Sequence, residues 1–372
     1  MLQTFQELLG TTSLPTQKEL EAAADAILTI QTVYDLPAKD IAAGNMHPDF
    51  PSAELTMTQC AELAQRAAIV TPHLATPWKG AAMEQLLKQK ADLLDDEEKK
   101  QVQLAARVFN QNPDLFIMKQ AHVSAREELE AEEDCDEELP EEALQKQQEK
   151  ETREMFQQYK ELCSGQASQA VKSSRLKCRL KGGASTLRTH PSLVLAPARE
   201  EELSSSPSIL HFHDVLSPKE AQELVEHSRP QMAPLDSNDG IIATAAMTRS
   251  PKLSLRLKQT IEGLPITADE YQILHYGLGG VDASGKIEID DLHSPSRSIF
   301  HVGNASTGMI LYLGDVAIGG ETVFPKLGVV VPAIQGSVLF WENRDPRTPH
   351  ALCPVVVGDH WELENLCPEL QK

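Results

Sequence analysis

Five residues in the C-terminal half of the chain have the side chains and the spacing that metal binding or acid–base chemistry requires. His350 lies just before one of the last predicted strands, and His360 and Glu362 follow it as an HxE pair. His211 and His213 form a second pair with the same spacing. Residues two apart in a strand point to the same face of a sheet, and imidazole and carboxylate groups are common metal ligands. Metal binding is therefore the first chemistry to consider.

The earlier histidine pair lacks an obvious carboxylate partner. The carboxylate nearest to His211 and His213 in sequence is Asp214, which should point to the opposite face of the strand. We therefore interpret His211 and His213 as ordinary strand residues rather than as metal ligands. His293 and His301 are likewise interpreted as ordinary loop and strand residues.

Most of the candidate residues belong to a stretch, residues 271–361, that is typical of an all-β domain. Short runs rich in Val, Ile, Leu, Tyr and Phe alternate with Gly, Pro and Asp about every 8–12 residues. This pattern indicates a barrel or a double-sheet jelly roll. The domain should begin near Ser208 with a strand, followed by a helix that Ser217 caps and Pro218 begins.

The first part of the chain, in contrast, is predicted to be helical. Residues 13–36 predict an amphipathic helix with a capping box, and its apolar stripe could be a dimerisation seam or could pack within its own domain. Residues 55–125 predict two or three further helices. An acidic run at residues 127–142 predicts a solvated helix or linker, and the Ser-, Gly- and Pro-rich residues 164–208 mark a boundary.

The composition argues against several classes of function. The formal net charge of −21 disfavours binding to nucleic acid or to anionic membranes, both of which require a basic surface. No run of about 18 apolar residues occurs, so no membrane span is expected. The N-terminus shows no signal-peptide pattern. None of the six cysteines forms a CxxC pair, which argues against a structural zinc site.

Four motifs in residues 271–361 read YQILHYGLGG, YLGDVAIGGETVFPKLG, GSVLFWEN and HALCPVVVGDHW. They closely resemble the catalytic domain of the collagen prolyl 4-hydroxylase alpha subunit family. LPTQKELEAAADAILTIQTVYDL resembles the N-terminal dimerisation segment of that family, and LTMTQCAELA and PWKGAAMEQLL resemble its peptide-substrate-binding domain. The resemblance covers nearly the whole chain, although the middle region is shorter than is usual in the family.

The resemblance implies an α+β fold, with an N-terminal helical region and a C-terminal double-stranded β-helix (jelly roll) of the Fe(II)- and 2-oxoglutarate-dependent dioxygenases. It also implies four parts. These are a helical dimerisation segment at residues 1–50, a helical peptide-substrate-binding-like region at residues 51–125, an acidic helix and linker at residues 126–207, and the dioxygenase-like domain at residues 208–372.

The family reaction is the 4-hydroxylation of peptidyl proline. The resemblance therefore implies Fe(II), 2-oxoglutarate and L-ascorbate as cofactors and a proline-rich or collagen-like peptide as a binding partner. It further implies self-association, protein disulfide isomerase as a partner subunit, and a location in the lumen of the endoplasmic reticulum. Disulfides between Cys163 and Cys178 and between Cys353 and Cys367 are implied in the same way.

The iron ligands of the family are an HxD pair and a later His, which together leave positions open for 2-oxoglutarate and O₂. His350 matches the later His. Gly285 and Ile287 occupy the HxD positions without a gap, and Lys286 and Glu288 occupy them with one inserted residue. Neither register contains a His. A protonated Lys286 offers no lone pair to a cation, and Glu288 would hold its carboxylate in a different place from Asp.

The 2-oxoglutarate position of the family is substituted too. The family pairs the distal carboxylate of 2-oxoglutarate with a Lys, and His360 stands at that position. An imidazole is shorter than a Lys side chain and lacks its fixed positive charge. Tyr271 and Thr307 are the other cofactor-binding residues that the resemblance implies.

Two main hypotheses follow for the activity. The substitutions favour a chain with lost or impaired catalysis that keeps its barrel as a binding or assembly module. The alternative is an active procollagen-proline 4-dioxygenase with an atypical iron site. The HxE pair is not expected to rescue the site, because position 360 should face the 2-oxoglutarate pocket rather than the iron. A third hypothesis, an incomplete chain, follows from the missing signal-peptide pattern and the shorter middle region.

Overall fold

The computed structural model describes residues 17–90, 96–111, 140–165, 177–181, 197–234, 243–261, 269–280 and 307–365. The helices are α1 (Gln17–Tyr34), α2 (Ala38–Ala42), α3 (Met57–Val70), α4 (Pro72–Lys90), α5 (Asp96–Gln111), α6 (Pro140–Cys163), α7 (Pro218–Ser228) and α8 (Pro251–Thr260). None of these described helices is long and apolar enough to cross a membrane. Most of the predicted acidic linker lies outside the described residues.

The strands occupy mainly the second half of the chain. They are β1 (Cys178–Lys181), β2 (Ala198–Ser205), β3 (Ser208–His213), β4 (Ala233–Pro234), β5 (Ala243–Arg249), β6 (Glu270–Tyr276), β7 (Thr307–Tyr312), β8 (Thr322–Phe324), β9 (Val329–Val331), β10 (Val338–Glu342), β11 (Ala351–Leu352) and β12 (His360–Asn365). The strand predicted to begin near Ser208 is therefore confirmed.

The described strands form two antiparallel sheets. The large sheet has nine strands in the order β1-β2-β3-β10-β7-β12-β6-β5-β4, and the small sheet has three in the order β11-β8-β9. The central pairs join segments far apart in sequence, such as β3 with β10. With the helices, this architecture confirms the predicted α+β fold class.

One face of the large sheet, which we call the outer face, packs against helices α7 and α8. Tyr271, Leu311 and Leu363 of the sheet are buried in one cluster with Val225 of α7 and Leu257 of α8. Full burial of such a side chain contributes about 1.5–3 kcal/mol. The outer face therefore holds the core that fixes the two helices to the sheet.

Helix α7 begins as the sequence predicts. The Ser217 side chain accepts a hydrogen bond from the backbone N–H of Glu220, and the Glu220 carboxylate accepts one from the backbone N–H of Ser217. Pro218 occupies the first turn, where its missing N–H costs nothing. The predicted N-cap at Ser217 is confirmed.

The opposite face of the large sheet, which we call the inner face, packs against the small sheet. Ile310, Leu339 and Trp341 of the large sheet are buried with Phe324 and Val331 of the small sheet. Because successive strand residues point to opposite faces, the residues on this inner side alternate with those on the outer face. The space between the two sheets is where candidate site residues can meet.

The N-terminal helices form a separate hydrophobic cluster. Leu28 of α1 packs with residues of α3 and α4, including Trp78, whose indole N–H donates to Gln31 at 2.7 Å. Arg66 of α3 makes two hydrogen bonds of 2.8 Å to the buried carboxylate of Asp25 in α1. A buried carboxylate requires such a partner, so this pair sets how α1 and α3 pack.

Helix α1 also contacts the β-sheet domain. Val33 is buried in a cluster with α6, β8 and β11, and the Tyr34 hydroxyl donates to the carbonyl of Pro354 at 2.8 Å. Gly279 has a φ of +66°, and a Cβ there would lie 2.5 Å from that of Ala26. Leu20 of α1, an apolar residue of the predicted stripe, is exposed. The role of residues 1–50 in dimerisation, like the four-part division of the chain, stays a prediction.

The disulfide differs from the pairing that the resemblance implied. Cys163 at the end of α6 is bonded to Cys353, while Cys178 is free and exposed on β1 at the sheet edge. The expected bonds Cys163–Cys178 and Cys353–Cys367 are therefore wrong, and Cys367 itself lies outside the described residues. The physical reason is that α6 packs against the small sheet, which brings Cys163 beside the residue after β11.

Candidate functional site

His360 and Glu362 lie on the inner side of β12. Trp361 and Leu363, which alternate with them, are packed on the outer face. His360 Nε2 and Glu362 Oε2 are 2.9 Å apart, and both residues are buried. An ionised carboxylate can only accept a hydrogen bond, so the proton of this pair lies on His360 Nε2. The result is a buried imidazole–carboxylate pair between the two sheets.

Two tyrosines flank this imidazole. The ring centroids of Tyr276 and Tyr312 lie 5.8 Å and 5.9 Å from that of His360. The Tyr312 hydroxyl donates to the side chain of Thr322 in β8 at 2.8 Å. Burial, with Glu362 and Glu321 adding to it, raises the pKa of Tyr312 far above its usual value, so this phenol stays protonated.

Glu321 adds a second carboxyl group to this region. Burial raises its pKa, and the nearby His360 opposes that shift. Within the described part of the chain, Glu321 Oε2 and His360 Nδ1 are buried atoms without a hydrogen-bond partner. Leaving such an atom unsatisfied costs about 1–3 kcal/mol, which is typical of sites that serve a function other than stability.

His350 lies at the start of β11 and packs on aromatic side chains of the inner cluster. Its ring centroid is 4.6 Å from that of Trp341 and 5.4 Å from that of Phe324, and the residue is buried. Its Nδ1 is 3.2 Å from the carbonyl oxygen of Thr348. Because a carbonyl only accepts, the proton lies on Nδ1 and Nε2 carries the lone pair. This is the arrangement that a metal-ligating histidine requires.

The structure brings His350 and His360 to the inner face but not the other implied cofactor residues. Tyr271 is on the outer face, where its hydroxyl lies 2.6 Å from that of Ser254 in α8. Thr307 begins β7, and strand alternation places it on the side of the outer-face residue Leu311. Tyr271 and Thr307 are therefore separated from His360 by the sheet itself.

The remaining predicted positions cannot be placed. Lys286 and Glu288 lie outside the described residues, as do His293 and His301. Sequence reasoning, in turn, missed Glu321. Its signal is the run GGET, in which two glycines with positive φ precede an acidic residue at the start of a buried strand.

The residues near His360 do not fit the 2-oxoglutarate carboxylate that the resemblance implies there. A carboxylate ligand requires a cationic or strongly donating partner. The imidazole of His360 is already bonded to Glu362, and Glu321 brings a second carboxyl group close to it. His350, in contrast, fits the role of one iron ligand.

Comparison with known proteins supports the resemblance. Residues 2–48 match the family model described as the N-terminal region of the prolyl 4-hydroxylase alpha-subunit. Prolyl 4-hydroxylase subunit alpha-1 of Rattus norvegicus is 31% identical over 235 residues, which cover 55% of this chain and 42% of the rat protein. The Gallus gallus subunit alpha-1 is 27% identical over 408 residues, covering 93% of this chain and 75% of that protein.

Among solved structures, a viral collagen prolyl hydroxylase from Paramecium Bursaria Chlorella virus-1, solved as a 2OG complex, matches with a TM-score of 0.30 and 17% identity. That match covers 42% of this chain and 93% of the viral chain. The family-model match and the relatives that match over most of the chain support its identification as a divergent member of the prolyl 4-hydroxylase alpha subunit family.

Proposed function

We propose that this protein is a prolyl 4-hydroxylase alpha subunit-like chain whose 2-oxoglutarate-dependent hydroxylation is lost or impaired. Its barrel serves instead as a binding or assembly module. The observation that carries the proposal is the buried His360–Glu362 pair, with Glu321 near it, at the position where the family binds 2-oxoglutarate.

The electrostatics of this group oppose a dicarboxylate ligand. Two like charges about 4 Å apart repel by about 4 kcal/mol at an effective dielectric constant of about 20. Since each 1.4 kcal/mol is about tenfold in affinity, one such repulsion weakens binding by roughly 500- to 1,000-fold. Burial raises the pKa of Glu321, and its protonation would remove its share of the repulsion, but the group would still supply no fixed positive charge.

Other features support retention of the family fold. The small sheet packs on the inner face of the large one, which supports the finer proposal of a double-stranded β-helix. His350 keeps the orientation of a metal ligand. That orientation also favours the alternative, an active procollagen-proline 4-dioxygenase with an atypical iron site, so the experiment must separate the two.

The purified full-length chain is supplied with Fe(II), L-ascorbate, O₂ and a proline-rich peptide, and decarboxylation of 2-oxoglutarate is measured. Calorimetry measures 2-oxoglutarate binding in parallel. We expect neither turnover nor binding. The proposal would be overturned if the unmodified chain shows turnover, His350→Ala abolishes it and the outer-face control His275→Gln keeps it. That result would establish the active dioxygenase.

The location and partners of the chain are part of the same proposal. The Cys163–Cys353 disulfide supports a location in the lumen of the endoplasmic reticulum, because disulfides persist in oxidising compartments. We propose that self-association and pairing with protein disulfide isomerase, which the resemblance implies, occur in this compartment. Co-purification with that isomerase should persist in His350→Ala, and the absence of any complex with the unmodified chain would refute the assembly role.

A further inference from the structure

The β2–β3 hairpin brings a carboxylate to the two histidines that the sequence left without one. Glu201 of β2 lies directly opposite His211 of β3, and His213 is two residues further along the same strand. All three side chains therefore share one face. This is the inner face, since the ring centroid of His211 is 6.3 Å from that of Tyr312.

The carboxylate nearest to the histidines in sequence, that of Asp214, is engaged elsewhere. It binds the guanidinium of Arg199 at 2.7 Å. Arg199 lies opposite His213 in β2. Asp214 therefore neutralises a positive charge that lies beside the histidines. Asp214 is thus paired with Arg199, and the sequence-based inference that no carboxylate faces the histidines is wrong, because Glu201 does.

The three potential ligand atoms are already close together. Glu201 Oε2 is 3.0 Å from His213 Nε2 and 3.9 Å from His211 Nδ1, and all three atoms lie within 4.8 Å of one another. Ligands about 2.0–2.2 Å from a tetrahedral Zn²⁺ lie about 3.3–3.6 Å apart. Small side-chain rotations are therefore enough to reach that geometry.

A neighbouring serine fixes the tautomer of His211. Ser337 Oγ lies 2.7 Å from the carbonyl oxygen of Ile334, which can only accept, so the hydroxyl proton is donated there. Ser337 Oγ must then accept from His211 Nε2, 2.8 Å away. The other ring nitrogen, Nδ1, carries the lone pair and faces Glu201. Metal-ligating histidines typically have such a partner on the second nitrogen.

The lone pair of His211 Nδ1 is not already used by Glu201. The separation of 3.9 Å between this nitrogen and Glu201 is too long for a hydrogen bond. His213 and Glu201 are partly exposed, which leaves a path for an ion from solvent.

We propose that Glu201, His211 and His213 form a zinc-binding site. Two imidazoles and one carboxylate suit Zn²⁺, whereas Mg²⁺ and Ca²⁺ prefer oxygen ligands. The site uses neither His350 nor the His360 pair, so it is independent of the proposed loss of hydroxylation.

Zinc binding to the full-length chain, after removal of metals with a chelator, tests the site. Titration with ZnCl₂ by calorimetry, and metal analysis after dialysis, should show one more Zn²⁺ per chain in the unmodified protein than in Glu201→Gln or His213→Gln. His275→Gln is the matched control, because His275 also pairs with a carboxylate, that of Asp359 at 3.2 Å, but outside this cluster. It should retain the ion.

Ser337→Ala tests the tautomer argument separately. It should keep the stoichiometry and weaken zinc affinity by about 10–100-fold, because it removes the acceptor that orients His211. Circular dichroism confirms that each variant is folded. Equal zinc content in the unmodified chain, Glu201→Gln and His213→Gln would overturn the proposal, and so would an equal loss of zinc in His275→Gln.

Discussion

The disulfide between Cys163 and Cys353 ties α6 to the residue that follows β11, and its removal gives a quantitative test of the fold. The bond closes a loop across a sequence separation of 190 residues. A loop of that length predicts about 5 kcal/mol from the lost entropy of the unfolded chain, and native disulfides typically contribute about 2–5 kcal/mol. We therefore expect Cys163→Ala to lower the free energy of unfolding by about 2–5 kcal/mol.

Urea unfolding followed by tryptophan fluorescence measures this loss. Reductant should destabilise the unmodified chain by a similar amount and leave Cys163→Ala unchanged. The double variant Cys163→Ala/Cys353→Ala should differ little from Cys163→Ala alone, since either change removes the same bond. Cys178→Ala is the matched control, because that thiol is free and exposed, and we expect a change within about 0.5 kcal/mol.

Two results would refute this reasoning. One is a free energy of unfolding for Cys163→Ala within about 0.5 kcal/mol of the unmodified chain. The other is a non-reducing peptide map that links Cys163 to Cys178 rather than to Cys353, because the packing of α6 on the small sheet would then be incorrect.

Two further predictions concern the sheet domain. Hydrogen bonding to Arg256 lowers the pKa of Glu220 from 4.5 to about 2. The stability that the ionised Glu220 contributes is therefore present above pH 4.5 and is lost as the pH falls through 2. Glu220→Gln should lower the free energy of unfolding most near neutral pH, and urea titrations that show an equal loss at pH 2 would contradict this. Gly308→Ala places a methyl group into the ring of Trp341. The free energy of unfolding, measured with urea or heat, should fall by about 1–3 kcal/mol. An unchanged unfolding midpoint would contradict this packing.

Features that depend on neighbouring residues could be predicted from the sequence. The spacing of Ser217, Pro218 and Glu220 is sufficient for the start of α7, because a capping box forms within one helical turn. The strand beginning at Ser208 follows from apolar alternation in the same way. These interactions span only a few residues, so the rest of the fold does not alter them.

The face on which a strand residue lies was harder to predict. Both Tyr271 and Leu274 of β6 are buried, one on each side of the sheet, so alternation of apolar residues does not distinguish the inner from the outer face. A shift of one residue exchanges the two sets. Tyr271 consequently lies against α8 rather than beside His360.

Partners from distant segments were decided by packing alone. Glu201 reaches His211 because β2 pairs with β3 in a specific register, and sequence proximity instead directed attention to Asp214. Cys163 bonds to Cys353 because α6 packs against the small sheet. Neither pairing has a local signal, since each depends on elements that meet only in the folded chain.

The sequence indicates the resemblance to the prolyl 4-hydroxylase alpha subunit family, the order of a helical part and a β part, and the presence of His360 where that resemblance implies a Lys. The hydrogen bond between Glu362 and this histidine and the nearness of Glu321 are visible only in the folded chain. The substitution is a property of one position in the chain. The chemistry near His360 depends on β12 and the residue before β8, which bring the buried Glu362 and the buried Oε2 atom of Glu321 close to it.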